Sequence, residues 1–118
     1  MSVDEGLIEW VREALEQRGA VTMRKMMGGA TLYLDGTVFA IVADDELWFK
    51  ADAESDSTWD AASCARFTFE MAGKTGSMNY RRAPTDVYDD AEAMQRWAAL
   101  AIEAGLRGAA KKRGRTRK

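Results

Sequence analysis

Histidine is absent from this chain of 118 residues. That excludes imidazole as a general base, as the partner of a Ser or Cys nucleophile, and as a metal ligand. A single cysteine, Cys64, allows no internal disulfide, which suits a reducing compartment. A single proline, Pro84, leaves glycine and aspartate to mark the turns. Phosphate-binding loops of the Gly-x-x-x-x-Gly-Lys-Ser/Thr and Gly-x-Gly-x-x-Gly types are missing. No run approaches the roughly 18 apolar residues of a membrane span. The acidic start, Met1-Ser2-Val3-Asp4-Glu5, is followed by no apolar leader core. A cytoplasmic chain without membrane contact, cofactor or metal is expected.

What is present fits one small domain. Apolar residues make up 47% and charged residues 31% of the chain, an ordinary globular balance, so a single modest core is expected. The formal charge of −2 conceals a split. Seven basic residues follow Leu106 with no acid among them, and the remaining 10 basic and 19 acidic residues leave the body at −9. A domain over residues 1–107 and a disordered basic tail over 108–118 are expected, because the tail has no apolar face. Such a body repels polyanions, while such a tail attracts them.

The chain is organised around residues 24–52. Asp35-Gly36 separates Thr31-Leu32-Tyr33-Leu34 from Thr37-Val38-Phe39-Ala40-Ile41-Val42-Ala43, a strong hairpin signal. Asp44-Asp45 separates that run from Glu46-Leu47-Trp48-Phe49-Lys50, giving a three-stranded antiparallel meander. Residues 21–26 read as an edge strand or an extended lead-in. With two-residue turns, Leu32, Leu34, Phe39, Ile41 and Trp48 share one face; Tyr33, Val38, Ala40, Val42, Leu47 and Phe49 share the other. Both faces are apolar, which requires helices on both or a partner on one.

Around the meander, Ser2-x-x-Glu5 has the form of a capping box, and Leu7, Trp10, Val11, Ala14 and Leu15 form a helical stripe that ends by Gly19. Trp59 anchors a short helix capped by Asp52 or Ser55. Arg66 to Met71 alternates as a half-buried strand; Ala72 to Gly76 reads as its turn and Ser77 to Arg82 as its return. Asp89-Asp90 precedes a last helix whose stripe (Met94, Trp97, Ala98, Ala101, Ile102) runs to about Leu106. The expected order is α-β-β-β-α-β-β-α, a two-layer α+β domain with antiparallel strands.

Candidate residues carry plain readings beside the functional ones. Gly28-Gly29, with Arg24 and Lys25 before them, would let backbone N–H groups meet an anion; a bend entering the sheet explains them as well. Asp44, Asp45 and Glu46 would hold a cation only weakly and serve as turn residues. Cys64 sits among small residues as an inert thiol. Met26, Met27 and Trp48 form either core or an adaptable binding surface. Lys111, Lys112, Arg113, Arg115, Arg117 and Lys118 would meet phosphates without reading bases, since no aromatic lies among them.

The string Arg24-Lys25-Met26-Met27-Gly28-Gly29, then Leu32-Tyr33, Gly36, Phe39-Ala40, Asp44 and Leu47-Trp48-Phe49-Lys50-Ala51-Asp52, resembles the signature of the TfoX N-terminal domain family. Met78-Asn79-Tyr80 and Ala83-Pro84 extend the resemblance, with Met27 and Trp48-Phe49 departing from the family's usual Phe and Tyr-Leu. The resemblance implies a fold similar to secretion chaperones and a role in bacterial gene regulation linked to natural competence. It also implies an N-terminal domain usually followed by a second one, so a stand-alone N-terminal domain is expected. The resulting expectation is a non-enzymatic protein-interaction module, binding a regulator or itself, with a homodimer through the sheet as its simplest form. The partner-contacting candidates are Arg24, Lys25, Met27, Gly28, Gly29 and Trp48. Two alternatives stand beside it: a sequence-independent nucleic-acid accessory using the basic tail, and a small-molecule binder or enzyme with a pocket between sheet and helices.

Overall fold

The computed structural model describes residues 5–26 and 28–116. The chain runs α1 (Glu5–Ala14), β1 (Val21–Met26), β2 (Gly29–Leu34), β3 (Thr37–Ala43), β4 (Glu46–Lys50), α2 (Asp56–Ala61), β5 (Arg66–Met71), β6 (Lys74–Arg82), a 3-10 turn (Thr85–Tyr88) and α3 (Ala91–Thr116). The strands form one antiparallel sheet in the order β1-β2-β3-β4-β6-β5. This is the expected two-layer α+β architecture with one strand added: residues 21–26 pair with β2 and form an edge.

The turns follow the dihedral demands of their residues. Asp35 (φ 48°) and Gly36 (φ 87°) close β2–β3, and Asp44 and Asp45, both at positive φ, close β3–β4. The β5–β6 turn is shorter than the sequence suggests. Ala72-Gly73 alone reverse the chain, and Lys74 already belongs to the return strand. Gly76 lies inside that strand because the Phe69 ring occupies the space a Cβ would need. Similarly, Gly28 (φ 75°) precedes a β2 that starts at Gly29, where a Cβ would collide with the Val42 carbonyl oxygen.

The expected division of faces is corrected at Phe39. Leu32 pairs with Ala40 but Tyr33 pairs with Val38, so Phe39 is an extra residue in a β-bulge. Side chains alternate with a period of two, so the bulge changes the phase of everything after it. Leu32 and Leu34 therefore share a face with Ala40, Val42, Leu47 and Phe49, not with Ile41 and Trp48.

All three helices lie on that face. Leu7, Ile8, Val11 and Leu15, Trp59 of α2, and Met94, Ala98, Ala101 and Ile102 of α3 join Leu32, Ala40, Val42, Leu47 and Phe49 in one core. Trp59 lies between Phe49 (ring centroids 5.7 Å apart) and Trp97 (5.1 Å). Among the described residues its Nε1 is the buried side-chain polar atom without a hydrogen-bond partner. Trp10 donates to the Val87 carbonyl at 2.6 Å, and the Tyr88 hydroxyl accepts the Leu47 N–H at 2.9 Å, so the 3-10 turn ties α1 to β4.

Helix ends are partly as expected. Asp90 caps α3, its carboxylate accepting the N–H groups of Glu92 (3.0 Å) and Ala93 (3.4 Å). α1 stops at Ala14 and reaches Gly19 through turns; the Ser2 cap lies outside the described residues. The expected end of the last helix near Leu106 is corrected, since α3 continues to Thr116. The segment after residue 107 read as a disordered tail is helical as far as it is described. Gly105 does not break the helix, because it lets α3 rest directly on the Val38 carbonyl. Arg107 then anchors the helix through a two-pronged pair with Asp52 (2.7 and 2.9 Å) and a contact to Glu54 (3.2 Å), and the good helix formers Ala109, Ala110, Lys111 and Lys112 follow.

Two predictions follow from this packing. Gly29→Ala is expected to destabilise the protein by about 2 kcal/mol or more, through the clash with Val42. Gly28→Ala, where space is open, should cost about 1 kcal/mol from its dihedral alone; urea unfolding of both variants checks the order. The second concerns Asp52, whose carboxyl the Arg107 hydrogen bonds hold down, from 3.8 to about 2, against the opposing pull of partial burial. Because the folded value lies below the unfolded one, this pairing stabilises the fold above about pH 4 and is lost as pH falls through about 2. Asp52→Asn should therefore cost about 1 kcal/mol near neutrality and progressively less as pH falls from about 4 through about 2, read from unfolding at several pH values.

Candidate interaction surface

The second face of the sheet carries no helix. Cross-strand pairing lays out its rows. Arg24 pairs with Thr31, Thr31 with Ile41, Ile41 with Trp48 and Trp48 with Arg82, so these five side chains cross five strands in line. A second row holds Lys50, paired with Tyr80, and the Tyr33 ring beyond the bulge. Phe67 and Phe69 of β5, with Met78 and Lys74 of β6, complete the face. Ile41 and Trp48 are buried yet stand outside the helix-side core. Their cover is local: Phe67 meets Trp48 edge-on at 5.0 Å, and the Arg82 guanidinium lies 5.1 Å over the indole. The Lys50 ammonium sits 5.3 Å from the Tyr80 ring in the same manner. Tyr33, Phe67, Phe69 and Tyr80 remain half-buried, and Met26 and Met78 are exposed.

Charge on this face is one-sided. Alternation places Arg24, Lys50, Lys74 and Arg82 there, against Glu46 alone, which pairs with Arg82 at 3.0 Å. Burial, with the neighbouring Tyr33 phenol adding to it, holds the Tyr80 hydroxyl above its ordinary pKa. At the start of β3, α3 leaves a cleft of about 500 Å³ between Tyr33, Val38 and Lys50 on one side and Gly108, Ala109 and Lys112 on the other.

The sequence candidates distribute as follows. Arg24 and Trp48 share the central row, Arg24 exposed at the sheet edge and Trp48 covered. Lys25 points the other way, toward α1, beside Met23 and Glu9. Gly28 and Gly29 form the β1–β2 tip, with Gly29 buried, and Met27 lies outside the described residues. Lys111 and Lys112 are exposed on α3; Arg113 and Arg115 belong to its last turns, and Arg117 and Lys118 lie outside the described residues. Asp44 and Asp45 make the turn that borders the face, and Glu46 opens β4. Cys64 is buried, and burial raises its thiol despite the nearby Arg81 charge, as befits an inert sulfur.

Sequence reasoning missed the aromatic members Tyr33, Phe67, Phe69 and Tyr80 and the cation Arg82. It also missed Arg81, whose neighbour faces outward while it is itself buried. The Arg81 guanidinium donates to Asp60 (2.7 Å), Asp56 (3.0 Å), the Cys64 carbonyl (3.0 Å) and Asn79 (3.2 Å). Burial alone would favour its neutral form, but these carboxylates outweigh that and keep it protonated beyond its ordinary range. This network fixes α2 to β6 and belongs to the scaffold.

A model of the TfoX N-terminal domain matches residues 13–105. The chain belongs to this family. It is also similar to Protein Sxy of Escherichia coli (strain K12), with 26% identity over 96 residues, which cover 81% of this chain and 46% of that protein. The chain thus spans about half the length of this curated relative. In this TfoX N-terminal domain the helices clad one face of the sheet, and among the described residues none is long and apolar enough to cross a membrane.

Neighbouring arginines on opposite faces give a direct check. Arg81→Ala strands two carboxylates beside a buried gap and should cost about 3 kcal/mol. Arg82→Ala removes an exposed pair and should cost under about 1 kcal/mol, while raising the quenching of Trp48 by acrylamide. Equal losses of stability in the two variants would contradict the assignment of faces.

Proposed function

We propose that this TfoX N-terminal domain works by contact and not by catalysis, as a regulatory module whose contact surface is the helix-free face of its sheet. The observation that carries the reading is the placement of α1, α2 and α3 on one face of a six-stranded sheet whose other face is rich in aromatic and apolar side chains. Uncovered apolar surface of this kind usually marks an interface. Family membership supports a place in gene regulation, with competence genes the targets that the family resemblance implies. A homodimer through this face is the weaker form of the reading. An isologous pair sets each patch against itself, and here that opposes Arg24, Lys50, Lys74 and Arg82 to their own copies.

The test is regulatory output. Overproducing the wild-type chain in a bacterial host should change transcript levels, and the double variant Arg24→Glu, Lys74→Glu should abolish the change. Glu13→Lys, a charge reversal on exposed α1 surface, should leave it intact. Identical profiles for the two variants would sink the surface assignment, and no wild-type effect would sink the regulatory role.

A further inference from the structure

We infer that the helix-free face binds single-stranded nucleic acid without sequence preference, with bases stacked on Tyr33, Tyr80 and Phe67 and phosphates met by Arg24, Lys74 and Arg82. This deepens the reading above by naming the partner, and it rests on that reading. Three observations meet here. The chain carries −2 overall, yet this face holds four cations against one carboxylate. On a body that carries −9 before Arg107, this basic face attracts a polyanion, as the basic end of α3 also does. The cations are interleaved with half-buried rings on an antiparallel sheet, the arrangement that serves unpaired bases, because every base has a π-face and stacking is indifferent to its identity. The basic surface also does not stop at the sheet: the cleft of about 500 Å³ beside Tyr33 and Lys50 carries it over to Lys112 of α3.

The same geometry weighs against other occupants. Strand spacing of about 4.8 Å puts Arg24 and Arg82, four strands apart, roughly 19 Å from each other. That is too wide for one small anion and suits a chain of phosphates. Duplex is disfavoured because the face presents no helix to enter a groove and the rings reach only unstacked bases. The acidic Asp44-Asp45 turn bounds the face at one end, so the path for the strand runs toward Lys50 and α3.

Fluorescence anisotropy with labelled oligothymidylate of about ten nucleotides, and with duplex of the same length, tests this on the full chain. Single strand should bind at low salt with a log–log salt slope of about −2 to −3, as expected for three or four neutralised phosphates, and more tightly than duplex. Tyr80→Ala should weaken binding about tenfold. Arg24→Glu with Lys74→Glu, both exposed, should abolish it; circular dichroism melts confirm that each variant is folded. A variant with Lys111, Arg113 and Arg115 changed to Gln should retain most of the affinity. The inference is overturned by absence of single-strand binding, by duplex binding as tightly, or by loss of binding in the Gln variant alone. It is also overturned if light scattering finds a dimer that the Arg24→Glu, Lys74→Glu change dissociates, since a second copy then occupies the face. In each case an intact transcript effect that depends on this face would leave the contact reading standing.

Discussion

The close seating of α3 on β3 and β4 governs the rest of the molecule. The helix presents Met94, Ala98, Ala101 and Gly105 to the sheet, and the small members of that stripe let it lie almost flush on the strands. At Gly105 the approach is so close that a methyl group would collide with the Val38 carbonyl. A helix so seated leaves room beside it for α1 and, through Trp59 and Trp97, for the short α2. The helical mass of the domain is then committed to one side. The other side is left to protect Ile41 and Trp48 with strand side chains alone, and it does so by laying cations over aromatic rings. The functional surface is thus a by-product of how the core closes.

Much of this was legible in the sequence, for local reasons. Asp35-Gly36 and Asp44-Asp45 name their turns because few residues tolerate φ > 0, and Asp90 names the start of α3 because a carboxylate satisfies free N–H groups there. Apolar character on both faces of the meander called for helices on both or a partner on one, and the helices cover one. What failed was non-local. Nothing in the run Thr37-Val38-Phe39-Ala40 announces a bulge, because an extra residue is defined only against the partner strand. The length of α3 depends on Asp52, which lies 55 residues from Arg107 in sequence. The fates of Arg81 and Arg82 follow from alternation, but which of the two is buried depends on the carboxylates that α2 brings to it.

The candidate surface was legible in the same uneven way. Arg24 and Trp48 were singled out and do share a row. Lys25 was singled out with them, yet the period of two sends it to the opposite face. The aromatic members were within reach: Phe67 and Phe69 alternate in one strand, and Met78 and Tyr80 alternate in its return. Joining them to Trp48 needed the pairing of β4 with β6, a contact between segments separated by α2 and β5.

The extra residue at Phe39 makes the β2–β3 hairpin sensitive to parity. Gain or loss of two residues in β3 would slide the ladder and keep greasy side chains inward. Gain of one residue beyond the bulge, with both turns held, would exchange inside for outside along the rest of the strand, exposing Val42 and turning Ile41 toward α3, whereas loss of Phe39 would only remove the bulge. An odd step in the length of this hairpin therefore needs a bulge to absorb it.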